Sequence, residues 1–436
     1  MCAPMSRRRL EFDVVAAGAG PAGIAAACIA AESRLRTAVL DATPWLGGQI
    51  WRSRELRPPA TAARRWIERL GASGAQVFRR TAVVDAPRPH MLLAETPDGA
   101  IEISWGKLVL AVGARELFLP FPGWTLPGVV GVGGLQVMVK AGWPLAGKRV
   151  VVAGSGPLLF ASAAEFRSSG ADVVLMAEQA DLPRLLRFGA ALPRFAPKKL
   201  VQAAGYQMRL LGVRYRTGCW AVAAQGDGRL ESVDLRAGRR TLTVPCDVLA
   251  CGFGFTPNLE LPKLLGCRIE NNEVQVSLWQ ETSVPGVYCA GEPTGIGGED
   301  RALIEGKIAG CAVAGLPRRA ERLFKARDRA RKFSRAMERG FVLREDVKRL
   351  ARPETIVCRC EDVTRGELEK WGDWRSAKLQ TRCGMGPCQG RICGGAARAI
   401  YGWEPESGRP PFFPIDVATL MEAGADPDGG GPESER

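Results

Sequence analysis

FDVVAAGAGPAGIAAACIAAESRLRTAVLD, residues Phe12 to Asp41, reads as strand, glycine turn, helix and second strand. The apolar run Phe12 to Ala17 ends at Gly18, and Gly18, Gly20 and Gly23 form G-x-G-x-x-G. Gly18 permits a tight turn, Gly20 lets the backbone approach a pyrophosphate, and Gly23 lets helix and strand pack closely. The helix that follows turns free N–H groups and a positive dipole end toward the same place. Asp41 closes the next apolar run, Thr37 to Leu40, where an acid can take ribose hydroxyls. The glycines alone are a weak signal. With a strand before, a helix after and an acid at Asp41, they predict a dinucleotide site in an α/β fold.

Beyond Asp41, the run Pro44 to Trp51 places Gly47 and Gly48 where the backbone can pass close to a flat ring system, with Gln49 able to donate to it or accept from it. An ordinary glycine turn is the plain alternative. Residues 54–70 read as helical, and Val77 to Ala100 as strand-like runs broken by prolines. Lys107 to Gly113 reads as a buried parallel strand ending in glycine, which adds Gly113 to the cofactor-side candidates. FLPFPGWTLPGVVGVGG, residues 118–134, carries too many prolines and glycines for regular structure and marks a crossing between domains.

Lys148 to Glu178 then repeats the opening pattern. A strand Arg149 to Ala153 leads into Gly154-Ser-Gly156-Pro-Leu-Leu159, a helix to about Ser168, a strand Asp172 to Ala177, and Glu178. This predicts a second nucleotide fold with Gly154, Gly156 and Glu178 as binding candidates. Leu159 occupies the third-glycine position, where its side chain is expected to hold the helix off the strand and alter the phosphate site. Glu178 favours a free ribose 2′-hydroxyl, hence an NAD-like nucleotide; a retained fold that is empty or holds another nucleotide is the alternative. Prolines in Asp181 to Tyr206 lie too close for one long helix, and strand-like material resumes over Val213 to Val244. Cys246 to Gly252 reads as another buried strand, and Val284 to Glu292 as a short one ending in Gly291-Glu292, ahead of a helix from about Asp300 to Gly315.

With 46% hydrophobic and 24% charged residues over 436 positions, the composition is globular, with room for two or three domains. Val14 to Ala31 is uncharged, but it is Ala/Gly-rich, holds Pro21 and is accounted for by the nucleotide turn, so no transmembrane segment is expected. MCAPMSRRRL has no apolar signal core, which points to a cytoplasmic protein. Net charge is +14, and half of it lies between Arg318 and Arg339, where ten Arg/Lys face three Asp/Glu. A solvated amphipathic helix with Ala326, Ala330, Phe333 and Met337 on one stripe is the simplest reading, and an acidic protein partner the alternative. No aromatic-interleaved basic patch points to nucleic acid. His90 is the only histidine, which excludes a Rieske cluster, a His-rich zinc site and histidine-based triads needing several imidazoles.

Two nucleotide units, one inserted in the other, and a later strand ending in Gly-acid resemble the flavoprotein family of thioredoxin-reductase and glutathione-reductase type over roughly residues 12–311. The resemblance implies FAD on Gly18, Gly20, Gly23 and Asp41, with Gly48 and Gln49 beside the flavin and Gly291-Glu292 at the ribityl chain. The chain departs from that pattern at Glu292, where Asp is usual, at Leu159, and in having no C-x-x-C before residue 358. Without the redox pair it is not expected to reduce disulfides.

Five of the thirteen cysteines, Cys358, Cys360, Cys383, Cys388 and Cys393, crowd the last fifth of the chain. A C-x-C pair and a C-x₄-C pair separated by a short helix can close four thiolates around one centre. By chemistry alone, Cys₄ zinc and an iron–sulfur cluster compete. A cluster suits a neighbouring flavin, which takes two electrons and releases them singly; zinc would add only structure. Gly384, Gly386 and Gly390 would offer N–H groups to sulfur, and Arg359, Arg382 and Arg391 would offset its negative charge.

CRCEDVT and TRCGMGPCQGRIC, with PFPGWTLPGV and GSGPLL earlier, resemble the FAD subunit of the hydrogen cyanide synthase, opine oxidase and hydroxyproline dehydrogenase group, which ends in a bacterioferritin-associated-ferredoxin-like [2Fe–2S] module. The resemblance implies Cys358, Cys360, Cys388 and Cys393 as ligands, with Cys383 as the alternative partner of Cys388. It also implies a D-amino-acid-oxidase-like FAD subunit that removes hydride from a small-molecule substrate, and a small ferredoxin-like subunit.

The expected architecture is α/β, with an FAD domain over 10–125 and 245–315 and a degenerate nucleotide domain over 126–244. A basic helical linker over 316–352, a small α-helical [2Fe–2S] domain over 353–402 and a tail over 403–436 complete it. The expected function is electron transfer within a dehydrogenase for an opine, hydroxyproline or glycine. A stand-alone NADH-dependent reductase and a non-catalytic zinc scaffold are the alternatives.

Overall fold

A computed structural model describes residues 8–52, 61–404 and 410–424. The chain forms two compact units, and neither is continuous in sequence. The first takes the chain up to Gly113, Pro257–Arg327 and the part from Ser407 onward; the second takes Ala114–Thr256 and Asp328–Glu406.

In the first unit the apolar runs become a sheet ordered Gln76–Arg79, Thr37–Asp41, Arg8–Ala17, Gly99–Leu110, Met91–Thr96, Ala82–Asp85, with Val287–Cys289 also paired to Gly99–Leu110. Parallel register sets Ala17 opposite Leu40 and Leu110, and Leu110 opposite Cys289. The turns that follow, at Gly18, Asp41, Ala111 and Gly291, therefore leave from one edge of the sheet, the carboxyl edge where open α/β sheets bind ligands. The helix Pro21–Glu32 is buried over its first ten residues. A Cβ on Gly306 would stand 2.2 Å from the Ala22 carbonyl oxygen, and one on Gly310 2.8 Å from that of Ala26. This close contact with the helix Gly298–Val313 explains why the first helix carries no charge before its last residue, Glu32: it is covered on both sides. Among the described residues, no helix is long and apolar enough to cross a membrane.

The second unit has a parallel sheet ordered Arg214–Thr217, Asp172–Glu178, Arg149–Gly154, Val248–Gly252, Val129–Gly131, and an antiparallel one of Cys219–Gln225, Ser232–Ala237 and Arg240–Pro245. Leu159 is buried among Val132, Val152 and Ala250, in room left by Gly252, where a Cβ would lie 3.2 Å from its Cδ2. The Pro/Gly stretch 118–134 is less irregular than its composition suggests: Val129–Gly131 is a strand and Val132–Lys140 a helix. Glu116 makes that helix start possible by accepting from the N–H groups of Gly133 (2.7 Å) and Gly134 (3.0 Å). Asp181 to Tyr206 divides as its prolines demand, into Leu182–Phe195 and a second helix opening at Pro197.

The cysteine-rich region belongs to the same unit and has its own small core of Val357, Val363, Leu368, Trp374, Ala377, Ala396 and Ala397. Its strands Ile356–Cys358 and Val363–Thr364 pair antiparallel, and Thr364 and Asp373 cap the two helices that follow. Trp124 Nε1 donates to the Ile356 carbonyl (2.6 Å) and ties the region to the Pro/Gly stretch.

Residues 114–125 and 245–256, expected in the flavin domain, belong to the second compact unit. Part of the predicted tail is core: Phe412 is buried in the first unit and its N–H donates to the Val84 carbonyl (3.2 Å). Residues 405–409 and 425–436 lie outside the described residues, as do 54–60 of the helix expected over 54–70, which forms as Thr61–Ala72. In the basic helix Pro317–Gly340 the buried stripe is Ala320, Arg327 and Ser334, and Ala326 faces solvent. Hydropathy misses this stripe because an arginine lies at its centre. The Arg327 guanidinium lies 4.6 Å from the Phe324 ring and donates to the Leu278 carbonyl (2.7 Å).

Gly306→Ala is expected to destabilise the first unit by about 2 kcal/mol or more through its clash with the Ala22 carbonyl, read as a lowered thermal midpoint. Gly71→Ala, whose Cβ would meet nothing within 4 Å, should leave the midpoint unchanged or raised.

Candidate functional site

The first glycine turn is shaped by what no side chain could share. Gly18 has φ +110°, and a Cβ there would lie 2.3 Å from the Ala111 carbonyl oxygen; a Cβ on Gly23 would lie 1.8 Å from that of Gly18. At Gly20 the same construction meets nothing within 4 Å. Two glycines are therefore fixed by packing, and the third faces open space at the start of a helix. Asp41 orders the turn by accepting from the Ala19 N–H (2.7 Å) and from the Thr43 N–H (2.8 Å) and hydroxyl (2.7 Å).

The second glycine pair closes onto the first turn. Gly47 donates to the Ala19 carbonyl (2.8 Å), and a Cβ on Gly48 would stand 3.1 Å from Gly20 Cα. Gln49 is exposed, whereas Trp51 is buried and donates to Glu299 (2.8 Å), an anchor absent from the sequence reading. Gly113 adopts φ +69° and accepts from the Asn258 N–H (3.0 Å), while the Asn258 side chain donates to the Val112 carbonyl (2.8 Å). Backbone turned toward open space with an ordered acid beside it is what a dinucleotide needs, so these residues fit FAD.

Gly291 and Glu292 follow the strand Val287–Cys289. Both Glu292 oxygens are taken by the helix Gly298–Val313, accepting from Gly297 (3.0 Å) and Gly298 (2.8 Å), and burial raises its pKa against the lowering effect of those N–H groups. Beneath it lies a network that sequence reasoning missed. Glu305 is fully buried, ion-paired to the buried Arg301 (3.0 Å), and accepts from the Gly291 N–H (3.1 Å) and the Thr294 hydroxyl (2.7 Å). Its i,i+4 spacing from Arg301 was available as a signal, but such pairs are common on exposed helix faces.

The second turn is built alike and closed differently. Glu178 is wholly buried and accepts from the Gly156 N–H (2.8 Å) and the Ala180 N–H (2.8 Å), and burial pushes its pKa up to about 7. Gly154 has φ +152°, with the Gly252 carbonyl oxygen 1.9 Å from a would-be Cβ, and Gly156 has φ +103°.

All five clustered thiols converge. The sulfurs of Cys358, Cys383 and Cys393 lie within 4.8 Å of one another in the interior. Cys388 is in hydrogen-bond contact with Cys393 and Cys360, and Cys360 is at the surface. Donation from Cys383 and Cys393 draws the Cys358 thiol down to about 2, and contact with Cys393 draws Cys388 down to about 5; Cys383 rises to about 12 beside Cys358. Backbone N–H groups of Gly384 and Gly390 reach Cys358 and Cys388. Gly386 serves otherwise, making room for Cys360, whose Cβ would be 2.3 Å from its own. Arg382 is paired with Glu361 (2.8 Å) and Arg391 donates to the Cys388 carbonyl (3.3 Å). A soft, thiolate-rich site of this kind fits zinc or an iron–sulfur cluster by donor type.

The family model described as pyridine nucleotide-disulphide oxidoreductase matches residues 12–314. An opine oxidase subunit of Rhizobium meliloti is 31% identical over 94% of this chain and 99% of its own. The HcnB subunit of hydrogen cyanide synthase from Pseudomonas aeruginosa is 32% identical over 93% of this chain and 97% of its own. Among solved structures, L-proline dehydrogenase from P. horikoshii shares the fold with TM-score 0.65 at 18% identity, covering 95% of this chain and 80% of that one. Thioredoxin reductase of T. acidophilum has TM-score 0.54 at 20% identity over 70% of this chain and 98% of that one.

Glu305→Ala removes the carboxylate that pairs with the buried Arg301. It is expected to cost about 3–5 kcal/mol and to release flavin, read as a lowered thermal midpoint and loss of bound flavin on gel filtration.

Proposed function

The chain belongs to the pyridine nucleotide-disulphide oxidoreductase family, in the group of the opine oxidase and HcnB chains, and is a flavin-dependent oxidoreductase subunit. On that footing we propose that it is the electron-transferring subunit of a heteromeric dehydrogenase, holding FAD in its first unit and a [2Fe–2S] cluster on its C-terminal cysteines. The carrying observation is the convergence of five thiols in one chain with an open dinucleotide turn, where no C-x-x-C pair precedes the cluster.

FAD takes up two electrons and returns them singly, and a [2Fe–2S] cluster carries one at a time. Gly18, Gly20, Gly23 and Asp41 hold the dinucleotide, with Gly48, Gln49 and Gly113 on the flavin side. Gly291 and Glu292 act at the ribityl end, Glu292 by fixing the start of the helix Gly298–Val313. Cys358, Cys360, Cys388 and Cys393 ligate the cluster, with Cys383 packed among them as a fifth sulfur. The opine oxidase among the relatives supports an opine as substrate; the motif resemblance extends the class to hydroxyproline or glycine, oxidised on a D-amino-acid-oxidase-like partner beside a small ferredoxin-like one.

The purified protein should show a flavin spectrum, iron with acid-labile sulfide, and an EPR signal on reduction; zinc without sulfide would remove the cluster. Serine at Cys358, Cys360, Cys388 or Cys393 should each abolish the EPR signal, and Cys383→Ser should keep it. Loss of the signal in Cys383→Ser with retention in Cys388→Ser would reassign the ligand set.

A further inference from the structure

In the second unit a piece of the chain's own backbone lies across the nucleotide turn. After the helix Pro317–Gly340, the segment Phe341–Arg344 meets Ser155, the middle residue of Gly154-Ser155-Gly156, and Gln179, the residue after Glu178. The Ser155 hydroxyl donates to the Phe341 carbonyl (3.2 Å). The Gln179 amide nitrogen donates to Ser155 Oγ (2.9 Å) and to the Val342 carbonyl (3.1 Å), and its oxygen accepts from the Arg344 N–H (3.0 Å). Both amide protons and the carbonyl of Gln179 are thus engaged, and the side chain is fully buried.

Each end of the segment is anchored. The Phe341 ring meets Phe188 at 5.0 Å, and the Arg344 guanidinium lies over Trp220 at 4.9 Å. Val347, just beyond, is buried in the core with Trp220. A bound dinucleotide places its ribose at the acid that ends the second strand and its pyrophosphate at the glycine turn. In this fold the acid end is covered: Glu178 is inaccessible and its neighbour Gln179 is hydrogen-bonded to peptide, while a Cβ on Gly156, as on Gly20, would meet nothing within 4 Å. The first fold differs, with Asp41 only half-buried and Ala42 after it exposed.

We propose that Phe341–Arg344 is a built-in ligand of the second nucleotide fold, which closes that fold to pyridine nucleotides. The inference deepens the relay reading, on which it rests: electrons then enter from a protein partner and not from NADH.

Hydrogen exchange on the full-length protein with and without millimolar NADH tests it. Ser155–Ala180 and Phe341–Arg344 are expected to be protected at the start and unaltered by NADH, and anaerobic NADH should leave the flavin band unbleached. NADH-dependent protection of Ser155–Ala180, or rapid bleaching, overturns it. Replacing Ser155 and Gln179 together by alanine should make exchange across Phe341–Arg344 about tenfold faster without altering the cluster EPR signal; unchanged exchange overturns the assignment. The wild-type arm stands however that variant folds. The exchange measurement needs neither cofactor, so it decides this inference even where missing flavin or cluster spectra would remove the relay reading.

Discussion

The first unit depends on one close approach, the backbone of Ala22 and Ala26 lying against Gly306 and Gly310. Because the two helices touch almost without side chains, both begin at the same sheet edge. The amino end of the first helix meets the first glycine turn, and that of the second is held by Glu292. Two positive dipole ends thereby follow strands that finish at the same sheet edge. The contact also requires small residues where the first helix meets Gly306 and Gly310, which gives the uncharged opening stretch the look of a membrane span.

A second theme is the use of acids as fittings for backbone. Glu116, Glu178, Glu292 and Glu305 each accept from N–H groups of glycine-rich turns, and three of them, Glu116, Glu178 and Glu292, have pKa values raised by burial. Glycine turns expose backbone donors that must find acceptors once water is excluded. A carboxylate at a strand end can fill that need whether or not a ligand is present. Glu178 and Glu292 look like ligand-binding acids in sequence, and their oxygens prove to be occupied largely by the protein itself.

The parts legible in the sequence were those with local causes. Strand, turn and helix at Phe12–Asp41 and Arg149–Glu178 appear where apolar period and glycine spacing put them, and the proline breaks in Asp181–Tyr206 divide two helices as expected. The cysteine cluster was legible because spacing and crowding are visible without a fold. What escaped depended on distant partners. Glu116 turns a Pro/Gly stretch into a helix start, Arg327 occupies the middle of a buried stripe, and Glu305 supports Gly291 from another element. The role of Gln179 is invisible until Phe341–Arg344, more than a hundred and sixty positions later, is brought beside it.

The division of both units has a consequence for how the protein is made. Phe412 completes the core of the first unit, while its first strand begins at Arg8. The second unit in turn waits for the cysteine-rich region that packs on Trp124. Neither unit can finish folding before its last segment has left the ribosome, so the first unit's core stays incomplete until Phe412 has been made. Stopping the chain after the last cysteine would therefore damage the dinucleotide unit, although every glycine and acid of its binding turns would still be present.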